Sequence, residues 1–218
     1  MSVSVAIDGP AGAGKSTIAK RIARRKKYIY VDTGAMYRAM ALFLIRNGIK
    51  AEETDRISTK CKEANITIRY HNGEQIVLLN NENVNGLIRT EEVGNMASAS
   101  SVNKDVRVKL VDLQRELAKS ANVIMDGRDI GTCVLPNADV KIYLTASSRV
   151  RAKRRFNQLT SRGETVDLDA IEKDITDRDH RDMTREISPL RQAEDAILVD
   201  SSNMTLNEAI ETIIQLIP

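Results

Sequence analysis

A parallel α/β fold, with a five-stranded sheet flanked by helices, is what this sequence predicts, and three observations predict it. Short apolar runs of strand length alternate with helical segments along most of the chain. The first run, Val3-Ser4-Val5-Ala6-Ile7, leads directly into Gly9-Pro10-Ala11-Gly12-Ala13-Gly14-Lys15-Ser16, followed by a helix-forming stretch. A hairpin-like texture interrupts the series between Ile66 and Asn85, as an inserted lobe would.

Taken in order, Lys15 to Lys27 reads as the first helix, with Ile18, Ile22, Ala19 and Ala23 on one face and a basic, solvated tail at the negative end of its dipole. Tyr28 to Val31 is the second strand, and Asp32-Thr33-Gly34 caps a helix from Ala35 to Arg46 that stops at Asn47-Gly48. A short polar helix follows around Asp55 to Ala64. Ile66 to Tyr70 and Gln75 to Leu79 alternate about the turn His71-Asn72-Gly73, with a third short strand near Asn83-Val84. Glu91 to Ser101 and Asp105 to Ser120 are helical; in the second, Val106, Leu110, Leu113 and Leu117 recur at core spacing. Asn122 to Asp126 and Val140 to Leu144 are buried-type strands. Helices then run from Ser147 to Gln158 and, beyond Ser161-Arg162-Gly163, from Asp169 to Thr184. Ala196 to Val199 is the last strand. Thr205 and Glu208 make a capping box for a final helix whose apolar set is Leu206, Ile210, Ile213 and Ile217.

Bulk properties narrow the class. The 218 residues suit one sizeable domain with small lobes, and 33 Lys+Arg against 30 Asp+Glu leave +3, too little to argue for nucleic acid or a membrane. Cys61 and Cys133 are far apart and lack His or Cys partners, so neither a zinc site nor a disulfide framework is expected. The chain opens on its first strand without a leader, and its longest apolar stretch, Ala39 to Ile45, is too short to span a bilayer. A cytoplasmic protein is the expectation.

The chemistry begins at Gly9 to Ser16. Glycines let successive backbone N–H groups converge on an anion at a helix N-terminus. Lys15 adds a point charge for the β- and γ-phosphates, and the Ser16 hydroxyl suits Mg²⁺, so a nucleoside triphosphate ligand is expected. Asp126 ends an apolar strand and opens Asp126-Gly127-Arg128-Asp129; it reads either as a metal partner to Ser16 or as an Asx turn. Asp32, at another strand end, is a second carboxylate for the metal, directly or through water, and Thr33 and Arg38 are candidates for a second anion.

Charge is most distinctive from Arg149 to Arg185. Six basic and no acidic residues occupy Arg149 to Arg162, whereas eight acidic face three basic residues from Glu164 to Asp182. Two such helices should pair and neutralise each other, which argues against a nucleic-acid patch. Arg178, Arg181 and Arg185 fall on one helical face at these offsets, either as solvated charges or as a mobile clamp on a transferring phosphoryl group. His71 and His180 read as a turn and a surface residue.

The phosphate loop, Asp32 to Arg38, Ile88-Arg89-Thr90, Asp126-Gly127-Arg128-Asp129-Ile130-Gly131-Thr132 and Arg178 to Arg185 together resemble bacterial cytidylate kinases, from residue 3 to about 215. The resemblance implies the P-loop nucleoside monophosphate kinase fold as a single domain over 1–218, with a monophosphate-binding insert at 61–92 and a mobile helical lid at 149–181. It implies ATP held by Gly9, Pro10, Ala11, Gly12, Ala13, Gly14, Lys15, Ser16 and Thr17, with Mg²⁺ at Ser16. It implies a CMP site of Thr33, Arg38, Ser98, Arg107, Arg128, Asp129, Arg178, Asp182 and Arg185. There Arg38, Arg128 and Arg185 hold the acceptor phosphate. Ser98, Arg107 and Asp129 read cytosine, and Arg178 with Asp182 binds the sugar. Lys15, Arg128, Arg178 and Arg185 form the catalytic set. Thr33 stands where many relatives have Ser, and Ser16-Thr17 where others have Gly-Thr. The implied reaction is ATP + CMP to ADP + CDP, with dCMP also accepted, by a monomer acting in pyrimidine metabolism. Arg154 and Arg155 both remain open as the lid contact to the γ-phosphate. Two rivals are a phosphate-loop kinase for a hydroxyl acceptor such as shikimate, and a GTPase switch; for the latter Asn103-Lys104-Asp105-Val106 lacks the final Asp of a guanine reader.

Overall fold

The computed structural model describes residues 2–119 and 121–218. In chain order the elements are β1 (Ser4–Asp8), α1 (Lys15–Lys26), β2 (Ile29–Asp32), α2 (Thr33–Arg46), α3 (Thr54–Lys60) with a 3₁₀ turn (Cys61–Glu63), β3 (Ile66–His71), β4 (Glu74–Leu79), β5 (Glu82–Asn83), α4 (Glu91–Ser100), α5 (Lys104–Lys119), β6 (Val123–Gly127), a π-helical stretch (Ile130–Val134), β7 (Val140–Thr145), α6 (Ser148–Thr160), α7 (Leu168–Thr184), β8 (Ile197–Asp200) and α8 (Leu206–Ile214). The parallel sheet has five strands in the order β2-β6-β1-β7-β8, and a second sheet, antiparallel, has the order β3-β4-β5. Both were expected from the sequence, and each predicted element lies within a few residues of its observed place. Ser120, the predicted end of α5, lies outside the described residues.

Two compact units divide the chain, one of residues 3–28 with 123–218, the other of residues 29–122. In the first, β1 lies between β6 and β7 with Asp8 level with Gly127 and Tyr143. Val5, Ala6, Ile7, Ile124, Met125, Ile142 and Leu144 are buried without alternation, as strands covered on both faces require. The α1 helix covers β6 and β1 and packs on α8. Its basic tail is largely exposed, as expected, and also makes contacts. Arg25 pairs with Glu211, and Lys26 Nζ donates to the carbonyls of Ile217 and Pro218, tying the chain's end to α1. The predicted capping box of α8 is present, with Thr205 and Glu208 each satisfying the other's backbone N–H. Leu206, expected in the core, is exposed, whereas Ile210, Ile213 and Ile217 are buried.

In the second unit, β3 and β4 pair through the turn at Asn72-Gly73, and α2 packs against α4, α5 and the small sheet. The α5 stripe is rotated from the predicted one. Val106, Arg107, Leu110, Val111 and Gln114 are buried, while Leu113 and Leu117 are half-buried. An arginine at a buried position is a polar function that a count of leucines passes over. Among the described residues, no helix is long and apolar enough to cross a membrane.

Candidate active site

In the first unit the loop between β1 and α1 has the geometry its glycines require. Gly9 has φ 146°, and a Cβ there would stand 1.9 Å from the carbonyl oxygen of Leu144 on β7. Only glycine lets the loop leave the sheet so close to its neighbour. Gly14, at φ 93°, makes the left-handed entry to α1, which has no side-chain cap of its own. The first N–H groups of a helix are its unpaired donors, and this end carries the partial positive charge that suits an anion. Lys15 is buried, and its Nζ donates to the carbonyls of Gly9 and Pro10 at 2.7 Å each. Burial, and next the charge of Arg128, hold its ammonium well below the usual lysine range. A polyanion would relieve both.

Ser16, in the first turn of α1, donates to Oδ2 of Asp126 at 2.7 Å, and Asp126 is buried at the end of β6. A hydroxyl and a carboxylate are the hard oxygen donors that Mg²⁺ accepts. The Asx-turn reading of Asp126 does not account for this contact. Arg128 Nε donates to Oδ2 of Asp182 at 2.9 Å, and Nη2 of Arg185 stands 3.8 Å from Oδ1 of Asp129. Burial alone would raise the Asp182 carboxyl; the charge and hydrogen bond of Arg128, with Arg178 and Arg185, bring it below the ordinary range. Arg178, Arg128, Arg185, Asp129 and Asp182 thus share one electrostatic neighbourhood, and Arg128 and Asp182 both act on Lys15.

Arg178, Arg181 and Arg185, expected on one helical face, do not all lie on the helix. Arg185 lies beyond the last residue of α7, with extended backbone, and its Nε donates to the Ser188 carbonyl. Arg181 is exposed, while Arg178 and Arg185 are largely covered. Arg178 thus lies within α7 and Arg185 in the segment after it.

The basic and acidic arms pair as expected, with Arg149 of α6 bound to Asp169 and Glu172 of α7. Two members of these arms do something the charge count did not show. Arg151 and Asp179 are buried, with Nη1 to Oδ2 at 2.6 Å. They bracket Ala11: Arg151 donates to its carbonyl at 2.8 Å, and Asp179 accepts from its N–H at 3.2 Å. Arg154 donates to the carbonyls of Ala13 and Ser201, so it too is fastened to the phosphate loop, whereas Arg155 donates to Gln158 within its own helix.

In the second unit, Asp32 caps α2 through Oδ1, accepting from Ala35 N, and its Oδ2 pairs with Arg89 at 2.8 Å. Thr33 is buried in the first turn of α2. Arg38 donates to the Ile88 carbonyl at 3.2 Å and lies across Gly94 of α4, where a Cβ would come 3.0 Å from its Nη1. Arg107 is buried and stands 5.9 Å above the Tyr37 ring. Ser98 is half-buried on α4. Thr33, Arg38, Ser98 and Arg107 therefore belong to this unit, and Lys15, Ser16, Asp126, Arg128, Asp129, Arg178, Asp182 and Arg185 to the other.

Sequence reasoning missed Asp8, Arg151 and Asp179. Asp8 accepts from the N–H groups of Ile130 at 2.8 Å and Gly131 at 2.7 Å, and burial pushes its carboxyl up to about 6. Its position, immediately before Gly9 at a strand end, was the available signal. Arg151 and Asp179 had none, since both sit in runs of like charge.

A strand, a glycine-turned loop, a helix with Lys15 and Ser16 at its head, and Asp126 on the neighbouring strand define a phosphate-loop kinase fold. A gluconokinase from Sinorhizobium meliloti 1021 shares it with a TM-score of 0.51 at 13% identity, covering 98% of this chain and 90% of that one. Sequence relatives are much nearer. The cytidylate kinase family matches residues 5–218. The cytidylate kinase of Caldicellulosiruptor saccharolyticus is 50% identical over 98% of this chain and 95% of its own. That of Geobacillus sp. (strain WCH70) is 44% identical over 99% and 96%. This chain belongs to the cytidylate kinase family, and is thus a nucleoside monophosphate kinase.

Proposed function

We propose that this chain transfers the γ-phosphoryl group of ATP to the phosphate of CMP, and likewise of dCMP, by direct in-line displacement. The observation that carries the reading is the neighbourhood around Lys15, in which Arg128, Asp182, Arg178 and Arg185 converge beside the Ser16–Asp126 pair.

A phosphate monoester has a second pKa of about 6, so the acceptor oxygen is already anionic at neutral pH and no general base is needed. The barrier is then one of bringing two polyanions together in line. The residues from Gly9 to Thr17 hold the triphosphate, and Lys15 leaves the Gly9 and Pro10 carbonyls for its β- and γ-oxygens. Ser16 and Asp126 would hold Mg²⁺, with Asp32 serving through water. Held there, Mg²⁺ would supply positive charge against the phosphate oxygens during transfer. Arg38, Arg128 and Arg185 take the acceptor phosphate, Arg178 and Asp182 the sugar, and Thr33, Ser98, Arg107 and Asp129 the remainder of the CMP site. The cytosine amino group is a donor and suits a carboxylate, while O2 and N3 suit an arginine. Arg128, Arg178 and Arg185 then stabilise charge as it moves.

We assign residues 61–92, which include the β3-β4-β5 sheet, to a monophosphate-binding insert, and residues 149–181, most of the α6–α7 hairpin, to a lid that excludes water during transfer. A monomer working in the cytoplasm on free nucleotides suits this role. The test is ADP release assayed against CMP, UMP, AMP and shikimate with ATP and magnesium. CMP should give the highest kcat/KM, and equal turnover with shikimate would overturn the reading.

A further inference from the structure

Three side chains of the α6–α7 hairpin grip the backbone of the phosphate loop. Arg151 Nη1 donates to the Ala11 carbonyl at 2.8 Å, and Asp179 accepts from the Ala11 N–H at 3.2 Å. One turn along α6, Arg154 donates to the Ala13 carbonyl at 3.4 Å. Gly12 lies against the hairpin, since a Cβ there would stand 3.3 Å from the Arg151 Cβ and 3.8 Å from Cδ1 of Ile175. Arg151 and Asp179 are buried and joined to each other, and Arg151 Nε donates to the Ala146 carbonyl just ahead of α6. In a trans peptide the carbonyl and the N–H of one unit point in opposite directions. With its N–H on Asp179, the Pro10–Ala11 unit turns the Pro10 carbonyl away from the hairpin, and that carbonyl accepts from Lys15 Nζ at 2.7 Å. With its carbonyl on Arg151, the Ala11–Gly12 unit turns the Gly12 N–H away from the hairpin too.

From this arrangement we infer that Arg151 and Asp179 are positioning residues for the phosphate donor. They set the two peptides of Ala11 so that the Gly12 N–H faces the ATP phosphates beside Lys15. The inference rests on the proposed seat of ATP at Gly9 to Thr17. Neither residue needs to touch the nucleotide. Asp179 alone would repel a triphosphate, and Arg151 cancels that charge where the carboxylate meets the loop. A purely structural pair would add stability and leave the folded chain's affinity for ATP unchanged.

The test measures Kd for a non-hydrolysable ATP analogue and for CMP by titration calorimetry, with Tm alongside, in the wild type and in Arg151→Met/Asp179→Leu. The double variant strands no charge, so it separates the grip on Ala11 from the stability of the fold. It should bind the ATP analogue about tenfold more weakly, the scale of one charge-assisted hydrogen bond, and CMP within about twofold of wild type. An ATP affinity equal to wild type, or equal losses for ATP and CMP, would overturn the inference while leaving ATP at the loop. Tighter binding would also overturn it, by showing Asp179 to be an internal rival of phosphate. A wild type that fails to bind the analogue would remove the ATP site and the inference with it. If the double variant does not fold, Arg151→Lys keeps a positive charge beside Asp179 but gives up the guanidinium that serves Ala146, Ala11 and Asp179 at once. It should weaken the ATP analogue about threefold and leave CMP unchanged. An unchanged ATP affinity, or an equal loss for CMP, would again overturn the inference.

Discussion

The Ser16 hydroxyl donates to Oδ2 of Asp126 at 2.7 Å, joining the first turn after the phosphate loop to the end of the neighbouring strand. In the proposed reaction this pair holds Mg²⁺. Ser16→Ala should lower kcat by about a hundredfold, the usual scale for one lost ligand or donor at a transferring group. The same variant should need more magnesium for half-maximal rate. A magnesium dependence identical to wild type would place the ion elsewhere.

Arg151 and Asp179 form a buried pair with Ala11 between them. Removing one partner strands the other charge, so Asp179→Asn or Arg151→Met alone should cost about 3–5 kcal/mol in denaturant unfolding. Replacing both together should cost less than the sum, because no charge is left without its partner. Strict additivity would show that the two groups do not depend on each other.

Asp8 sets a pH dependence of unusual sign. Burial pushes its carboxyl up to about 6, from the ordinary 3.8 of an unfolded chain. Between these values the folded chain keeps a proton that the unfolded chain has released. The group's contribution to stability is therefore complete below the ordinary value and is lost as pH rises through about 6. At about 1.4 kcal/mol per pH unit the full span approaches 3 kcal/mol. Unfolding of the wild type and of Asp8→Asn, followed from about pH 4 to 7, should show the wild type losing more stability over that range. Parallel curves would contradict the assignment.

Arg128 stands closer to the acceptor than to the donor in the proposed reaction. Arg128→Ala should reduce kcat/KM for CMP by more than about a hundredfold and leave the affinity for an ATP analogue almost unchanged. Titration calorimetry of the analogue separates the two effects. Equal loss of both would contradict this placement of Arg128.

The phosphate loop and the strand ends were legible in the sequence because their chemistry is local. Gly9 to Ser16 needs only its own spacing and an adjacent strand, and Asp126 needs only to end an apolar run. The capping box at Thr205 and the hairpin turn at Asn72-Gly73 are local in the same sense. Arg151, Asp179 and Asp8 were hidden because their partners are remote in sequence. Arg151 reaches back 140 residues to Ala11, and Asp8 reaches forward 122 residues to Ile130. Within α5, the apolar period foretold a buried face, yet burial of Arg107 and Gln114 shifted that face by one position. Arg185 was misplaced for a simpler reason: its offset from Arg178 is helical, but α7 ends at Thr184.

The central claim is that the phosphoryl group passes from ATP to the phosphate of CMP and not to water. ATP labelled in its γ-phosphate, mixed with CMP, magnesium and the purified chain, tests it directly. The account predicts that label appears in CDP in step with ADP. Label found only as inorganic phosphate, with CMP unchanged, would contradict it.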